Sequence, residues 1–564
     1  MAPRAGLLGA CLGLLLAVAC NSGPPPRLTA EDTAVVALRA EPETLFAPAA
    51  TSTESLNVIG ALSDGLVMED ENGDLEPRLA ERVPTLENGD AVVRRQSDGK
   101  QVLVVRFTLR DGARWQDGAP VRPTDIRFGW LLVSNREVDA AQMGAASRIQ
   151  DIRAVDDRTV EVVYRAGDLD PRYALCCNAF VLPEARLRDI TPAKLADSQF
   201  AREPIYAGPF MLKERRENTS LTLERSPYYA LGPAKLRSII FVFRADTAAV
   251  LQDLGEHRVD LATGVFGVDS AGVLAALEPR AVRTRYTPAL ALEHVDFNLR
   301  DPTNVGKPHP ILGASQVRVA LALAIDRDTL AAAATGARAA VPLSYVPPPS
   351  WAAPTSVEVT TYGFDPPAAE RMLDSAGWYR GADGVRVRRG MRMALRLLVA
   401  SGNPQRDQAA RQVAEALERI GVAISLETAT MSSMSAPTGQ LATAQFDLAL
   451  YAWVGDRDPY GWSLLYHRDQ IPSQGNGFAG QNFPGWSDVR FSMLADEAAS
   501  TIDAYARRVR YAEMQRLWTA ALPALPLYQR VQVDVADARL RELRPQPTRR
   551  PVTWNVARWS FGGV

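Results

Sequence analysis

The feature that most constrains this chain is an apolar run near its N-terminus, followed by a long body with nothing comparable. Arg4 precedes the apolar residues 7–16, and the small residues Ala17 and Ala19 lead up to Cys20. A basic start, a short apolar stretch and small residues before a cleavage point are typical of an export signal. The run is too short to span a bilayer, which takes about 20 apolar residues. We therefore expect a large folded body that is exported and works outside the cytoplasm.

The end of this signal resembles that of bacterial lipoproteins, in which a cysteine becomes the lipidated first residue of the mature protein. Here that residue is Cys20. The polar, proline-rich residues 20–27 are expected to form a stiff tether. An ordinary secretory peptide with a chance cysteine is the alternative, but cysteine is rare in this chain. The prediction is a signal peptide over residues 1–19 and a lipid anchor on Cys20 in the bacterial cell envelope.

Composition excludes several function classes. A chain of 564 residues is too long for one ordinary core, so two or three domains are expected. The 63 basic and 65 acidic residues give a net charge of −2 without a polybasic block, which indicates neither nucleic acid nor an anionic membrane surface as a partner. The four histidines are scattered, and no metal-binding, nucleotide-binding or nucleophile motif occurs. We predict no cofactor, no metal and no enzymatic activity.

Only two cysteines remain once Cys11 leaves with the signal and Cys20 is lipidated. These are the neighbours Cys176 and Cys177. Adjacent cysteines cannot adopt ordinary disulfide geometry without strain. A vicinal disulfide and two buried thiols therefore both remain open.

Hydrophobic periodicity predicts mixed secondary structure around more than one core, an α/β with α+β fold. Residues 317–334 are rich in alanine and leucine and predict one long helix. Residues 395–400, 407–420 and 422–427 read as strand, helix and strand. Such a βαβ unit implies a parallel strand pair with a helical crossover.

Seven short motifs are spread along nearly the whole chain. Two are long: Gly-Asp-Leu-Glu-Pro-Arg-Leu-Ala at 73–80, and Phe-Thr-Leu-Arg-Asp-Gly-Ala-Arg-Trp-Gln-Asp-Gly-Ala-Pro-Val at 107–121. The others lie at 207–212, 223–229, 296–299, 317–327 and 370–378. Their content and order resemble the large extracytoplasmic solute-binding proteins of the peptide/nickel class, which feed ABC importers. The similarity runs from about residue 35 to about residue 540.

This resemblance implies a two-lobe periplasmic-binding-protein clamp of type II with an extra subdomain. Lobe I would comprise residues 28–66, 205–290 and 526–564, and the subdomain inserted in it would comprise residues 67–204. Lobe II would comprise residues 291–525, so that the chain crosses between the lobes near Ala291 and again near Pro526. The boundaries come from the family and not from composition.

The resemblance also implies where a ligand would bind. Residues 451–459 are similar to a family block that follows a lobe II strand and faces the cleft. By that correspondence Asp456 would bind the ligand's amine, Trp453 would form a cleft wall, and Asp458 is a weaker candidate. Asp456 as a solvated loop acid, and Asp458 with Pro459 as an ordinary turn, are the alternatives.

Two further segments complete the predicted site. Arg406, just before the crossover helix, is the candidate for the ligand's carboxylate, and a surface charge at a helix start is the alternative. Thr51, Ser52 and Thr53 align with the lobe I loop that meets the ligand backbone in peptide binders. A polar loop that caps a helix would look the same.

The function that follows is a monomeric, lipid-anchored protein that captures a peptide or peptide-like solute by hinge closure and presents it to the permease subunits of an ABC importer. One alternative is a signalling or assembly lipoprotein that has kept the fold and lost transport. Another is a binder of nickel, haem, a sugar or an opine, because one fold serves many ligands.

Overall fold

The computed structural model of the protein describes residues 30–138, 140, 143–547 and 550–562. The predicted signal peptide, the lipidation site Cys20 and the tether lie outside the described residues.

Ten strands form one large sheet that runs through both predicted lobes. In chain order they are β1 (Thr33–Leu38), β2 (Phe210–Arg216), β3 (Ser220–Arg225), β4 (Ser238–Phe243), β5 (Leu261–Thr263), β6 (Val282–Phe297), β7 (Ala394–Ala400), β8 (Ala423–Ala429), β9 (Leu448–Val454) and β10 (Ala524–Asp537). Their order in space is β8-β7-β9-β6-β10-β5-β1-β4-β3-β2.

Strands β6 and β10 connect the lobes. They have 16 and 14 residues, respectively, against a usual length of about 5–6, and they pair antiparallel from Val282↔Asp537 to Asp296↔Ala524. The register shifts between Pro288 and Leu292 and again after Glu293. The two predicted crossings near Ala291 and Pro526 therefore lie side by side on one ribbon.

Fifteen α-helices pack on these strands and on the smaller sheets in the described part of the chain. They are α1 (Thr53–Leu62), α2 (Pro123–Val133), α3 (Met143–Ser147), α4 (Glu184–Leu187), α5 (Gln199–Arg202), α6 (Thr247–Gly255), α7 (Ala271–Ala275), α8 (Ser315–Ala324), α9 (Arg327–Thr335), α10 (Pro366–Ser375), α11 (Pro404–Arg419), α12 (Met431–Ser435), α13 (Tyr460–Leu464), α14 (Val489–Ala499) and α15 (Ala504–Ala521).

The hydrophobic core is divided in the same way as the chain. Two clusters of buried side chains draw only on residues between Leu290 and Tyr528, one on each face of β6, β7 and β9. The other clusters draw on residues up to Val282 and from Val533 onward. Strands β6 and β10 contribute side chains to both groups, so the ribbon connects them.

The range of the predicted inserted subdomain contains its own antiparallel sheet of four strands. In spatial order these are Ala91–Arg95, Gln101–Thr108, Thr159–Tyr164 and Ile149–Ala154. A hairpin of Val67–Glu69 and Leu75–Pro77 precedes them. The remaining small sheets comprise Arg300–Asp301 with Asn304–Pro308, Tyr379–Arg380 with Arg386–Arg388 and Met391–Arg392, and Leu540–Arg541 with Ser560–Phe561.

The βαβ prediction is confirmed. Strands β7 and β8 are parallel neighbours, and α11 connects them. The prediction of one helix over residues 317–334 is wrong, because α8 ends at Ala324 and α9 begins at Arg327. Asp326 causes the break, since its carboxylate caps α9 by accepting from the backbone N–H of Thr329.

The two adjacent cysteines form a vicinal disulfide between Cys176 and Cys177. Next to them, Asn178 accepts from the backbone N–H groups of Leu66 and Val67 and donates to the carbonyl of Val67. The disulfide therefore lies in a turn that is fixed to the start of the Val67–Glu69 strand.

Candidate ligand-binding site

Trp453 lies at the end of β9, where the strand reaches the junction of the two lobes. Its ring is stacked between His294 and Phe483, with centroids 6.1 and 5.8 Å away and interplanar angles of 17° and 15°. The side chain is 9% exposed. The loop that follows is pressed against Trp462, because a Cβ at Gly455 would lie 2.4 Å from that ring. Trp453 is thus held in the aromatic core of predicted lobe II and is only slightly exposed.

Asp456 is the free acid of this loop. Its carboxylate makes no hydrogen bond or ion pair with any described residue, and the side chain is exposed. Only its main-chain carbonyl is used, as the acceptor of the Trp462 indole N–H at 2.9 Å. The negative charge of Asp456 reaches Glu69 of the opposite lobe. Burial raises the pKa of Glu69 against the opposing effects of Arg550 and Arg457, and Asp456 adds to the rise.

Asp458 has a structural partner. Both of its carboxylate oxygens accept from Nη2 of Arg507, at 2.9 and 2.8 Å, and one also accepts from the backbone N–H of Tyr460. Arg507 is buried on α15, so the pair fixes the loop to that helix. Of the two predicted acids, the structure leaves Asp456 open to a ligand and engages Asp458.

Arg406 lies in the first turn of α11, and each of its three guanidinium nitrogens donates to a protein acceptor. Its Nε and Nη2 donate to the two oxygens of Glu293 at 3.0 Å each, and Nη1 donates to the carbonyl of Ala400 at 2.6 Å. Glu293 is completely buried on β6, and Arg530 on β10 forms a second ion pair with it. Burial acts to raise the pKa of Glu293, but Arg530 and Arg406 outweigh it and hold the pKa below its usual range. Direct binding of a ligand by Arg406 would require it to give up part of this pair.

The predicted lobe I loop is organised by an acid that the sequence analysis did not identify. Glu43 accepts from the backbone N–H groups of Thr51 and Ser52 and from the hydroxyls of Ser52 and Ser55. Burial acts to raise the pKa of Glu43, but these hydrogen bonds outweigh it and lower the pKa to about 2. Ser52 also caps α1 by accepting from the N–H of Ser55. Thr51 and Thr53 are both exposed, whereas Ser52 is partly buried.

The two lobes touch on the side of the Asp456 loop. Arg457 reaches across to the hairpin of the inserted range, with its Nε 3.5 Å from Glu69 and its Nη2 donating to the carbonyl of Glu71. Arg148 donates to the carbonyl of Ala499 at 2.8 Å. We call the contacts of Arg457 with Glu69 and Glu71 the lobe latch. These contacts join residues of predicted lobe II to residues of the predicted inserted subdomain.

Sequence reasoning missed Glu43, Glu69, Glu293, Arg457 and Arg530. Apart from Glu43, whose partners lie 8–12 residues further on, each gains its role from a residue far away in the chain, so local motifs gave no signal for most of them. Glu293 did offer a signal, because an acid directly after the four apolar residues 289–292 indicates a buried partner.

Neither a metal-binding cluster nor a membrane-spanning helix is found in the described part of the chain. No group of three or more histidine, cysteine, aspartate or glutamate side chains is placed to hold a metal ion there. Every helix in that part is too short or too polar to cross a bilayer.

Comparison with known proteins decides the family. The family model described as "Bacterial extracellular solute-binding proteins, family 5 Middle" matches residues 74–472, more than half of the chain. The chain belongs to this family. It is a solute-binding protein and not an enzyme, and the resemblance of the seven motifs is confirmed.

Individual relatives of this solute-binding protein agree with that assignment. The oligopeptide-binding protein AppA of Bacillus subtilis is 22% identical over 488 residues, which cover 83% of this chain and 81% of AppA. NikZ of Campylobacter jejuni, solved in complex with Ni(L-His), superposes with a TM-score of 0.74 at 20% identity and covers 94% of this chain and 100% of NikZ. The periplasmic EDTA-binding protein EppA gives 0.77 at 18% identity and covers 98% and 100%, respectively. The fold is the two-lobe clamp that the family resemblance implied.

Proposed function

We propose that this solute-binding protein captures a peptide or peptide-like solute between its two lobes and delivers it to an ABC importer. The observation that carries the proposal is the free carboxylate of Asp456, beside the aromatic wall of Trp453, at the point where the lobes meet. A carboxylate in a cleft that closes loses water, so an ammonium there gains a charge-assisted hydrogen bond. The oligopeptide-binding name of AppA points to the same class of ligand.

We propose further that the predicted lobes move as bodies about the β6–β10 ribbon, as hinge closure requires. The lobe latch joins groups from both lobes, so it is made only when they approach. We also propose that the protein works as a monomer tethered outside the cytoplasm through Cys20. The signal sequence and the tether composition support that step.

The test starts with native mass spectrometry of freshly purified protein, which reports any co-purified solute. Titration calorimetry with a defined set of alanine peptides of two to five residues then measures binding directly. Binding of at least one peptide is expected. If all peptides fail and Ni(L-His) or another non-peptide solute binds instead, the proposal is overturned.

The role of Asp456 is tested with Asp456→Asn, which keeps size and removes charge. Loss of a desolvated charged partner costs roughly 3–5 kcal/mol, a fall in affinity of a hundredfold or more. Asp469→Asn, at an exposed acid of the same lobe, is the control and should change affinity little. Equal affinity of wild type and Asp456→Asn would contradict the assignment.

A further inference from the structure

Two arginines share one carboxylate at the ribbon between the lobes. Glu293 on β6 accepts from Arg406 on α11 and from Arg530 on β10, with the Nε and Nη2 of Arg530 lying 2.8 and 2.6 Å from Oε1. The three side chains, two arginines and one glutamate, therefore carry a net charge of +1. Surplus charge close to a buried site is costly unless solvent or an anion compensates it.

The uncompensated positive charge is on Arg530. Arg406 is buried, and each of its three nitrogens has a protein acceptor. Arg530 is 34% exposed, and its Nη1 has no hydrogen-bond acceptor among the described residues. A guanidinium has five N–H donors in a fixed plane. Glu293 thus holds one edge of Arg530 in place and leaves the other edge able to bind an anion.

The position of this edge is at the junction of the lobes. Arg530 follows the irregular stretch of the ribbon, where Leu292 pairs with Gln529. Beside Arg406 on α11, Gln405 approaches lobe I so closely that a Cβ at Gly267 would lie 3.4 Å from its Nε2. The hydroxyl of Tyr528, two residues before Arg530 on the same face of the strand, is buried without a hydrogen-bond partner. Unused donors therefore gather at the part of the ribbon that the lobes close over.

We infer that Arg530, held by Glu293, is the anion-binding group of the clamp and takes the carboxylate end of the solute. The inference rests on the proposed function and assigns the end of the ligand opposite to the amine at Asp456. Arg406 becomes a positioning residue, since it acts through Glu293. A planar guanidinium binds a carboxylate through two parallel N–H donors, so arginine is favoured over lysine at this position.

The experiment compares alanine peptides with their C-terminal amides by calorimetry, using wild type, Arg530→Met and Arg530→Lys. Arg530→Met should fold, because Glu293 keeps its bidentate pair with Arg406. Wild type should bind free acids at least tenfold more tightly than amides. Arg530→Met should lose that preference, and Arg530→Lys should keep only part of it. Arg490→Met, at an exposed arginine paired with Glu513, is the matched control and should behave as wild type.

Two results would overturn the inference: a preference for the free acid that survives in Arg530→Met, or no preference in wild type. If no peptide binds wild type, the proposed function fails. Thermal unfolding in the presence of N-acetylalanine, a small carboxylate without an amine, then tests this inference separately. Stabilisation of wild type but not of Arg530→Met supports it, and an equal response in both, or none in either, refutes it.

Discussion

The buried carboxylate of Glu293 offers the sharpest test of how this clamp is held together. The substitution Glu293→Gln keeps the shape of the side chain and one acceptor oxygen but removes the charge. Two guanidiniums then face a neutral amide, and one of them, on Arg406, is buried. Because that cation can no longer be compensated, we expect a large loss of folding stability.

The magnitude follows from burial. Removing one partner of a buried ion pair costs roughly 3–5 kcal/mol, whereas an exposed pair contributes roughly 0–1 kcal/mol. The pair of Glu358 with Arg508 is part-exposed, with side-chain exposures of 30% and 28%, so Glu358→Gln is the matched control. The two variants should therefore differ by about 2 kcal/mol or more in free energy of unfolding.

The pH dependence has a definite sign. The folded-state pKa of Glu293 is lowered, so its contribution is complete above the unfolded value of about 4.3 and is lost as pH falls through the folded value. Glu293→Gln has no such contribution at any pH. The stability gap between wild type and the variant should therefore be widest near neutrality and should narrow below about pH 4.

Guanidinium-induced unfolding at neutral and acid pH, followed by circular dichroism and by tryptophan fluorescence, measures the gap. Coincident transitions by the two probes are needed before a free energy is extracted, because lobes can unfold separately. A cost for Glu293→Gln within about 1 kcal/mol of the Glu358→Gln control would refute the reasoning. So would a gap that widens in acid.

Four further outcomes are expected. Asp458→Asn should lower the free energy of unfolding by roughly 1.5–3 kcal/mol, because it weakens a charged hydrogen-bonded pair; chemical denaturation checks this, and an unchanged midpoint would contradict it. Arg457→Met should break the lobe latch and weaken solute binding about fivefold. X-ray scattering of the liganded variant should show an increased radius of gyration. Unchanged scattering and unchanged affinity would rule the latch out. Glu43→Gln should remove stability that wild type keeps at neutral pH and loses as pH falls from about 4.5 to about 2; identical acid-unfolding curves would argue against it. Cys20→Ser should move the protein from the membrane fraction to the soluble envelope fraction, and retention in the membrane would end the lipoprotein prediction.

The sequence predicted the fold better than it predicted the site, and Arg406 shows why. The βαβ unit around α11 is local, and its hydrophobic periodicity is visible in one stretch of chain. The role of Arg406 depends on Glu293, 113 residues away, and on Arg530, still further on. Pairings of that kind come from the topology of β6, β10 and α11, which no local motif encodes.

The lobe II acids show the same limit at shorter range. Asp456 and Asp458 are two residues apart and look alike in sequence. Asp458 is engaged because α15 brings Arg507 next to it, whereas the Asp456 carboxylate has no hydrogen bond or ion pair with a described residue. The helical break at Asp326 was also missed, because the periodicity of residues 317–334 continues through it, although aspartate is a common helix N-cap.

The ribbon of β6 and β10 has a mechanical consequence. Because the two strands stay hydrogen-bonded to each other on both sides of the irregular stretch between Pro288 and Leu292, neither can slide along the other. If the lobes close about this ribbon as proposed, the movement is a change of twist along paired strands about 50 Å long. On that proposal, the strand pairing would bring the lobes back to the same alignment after each release of solute.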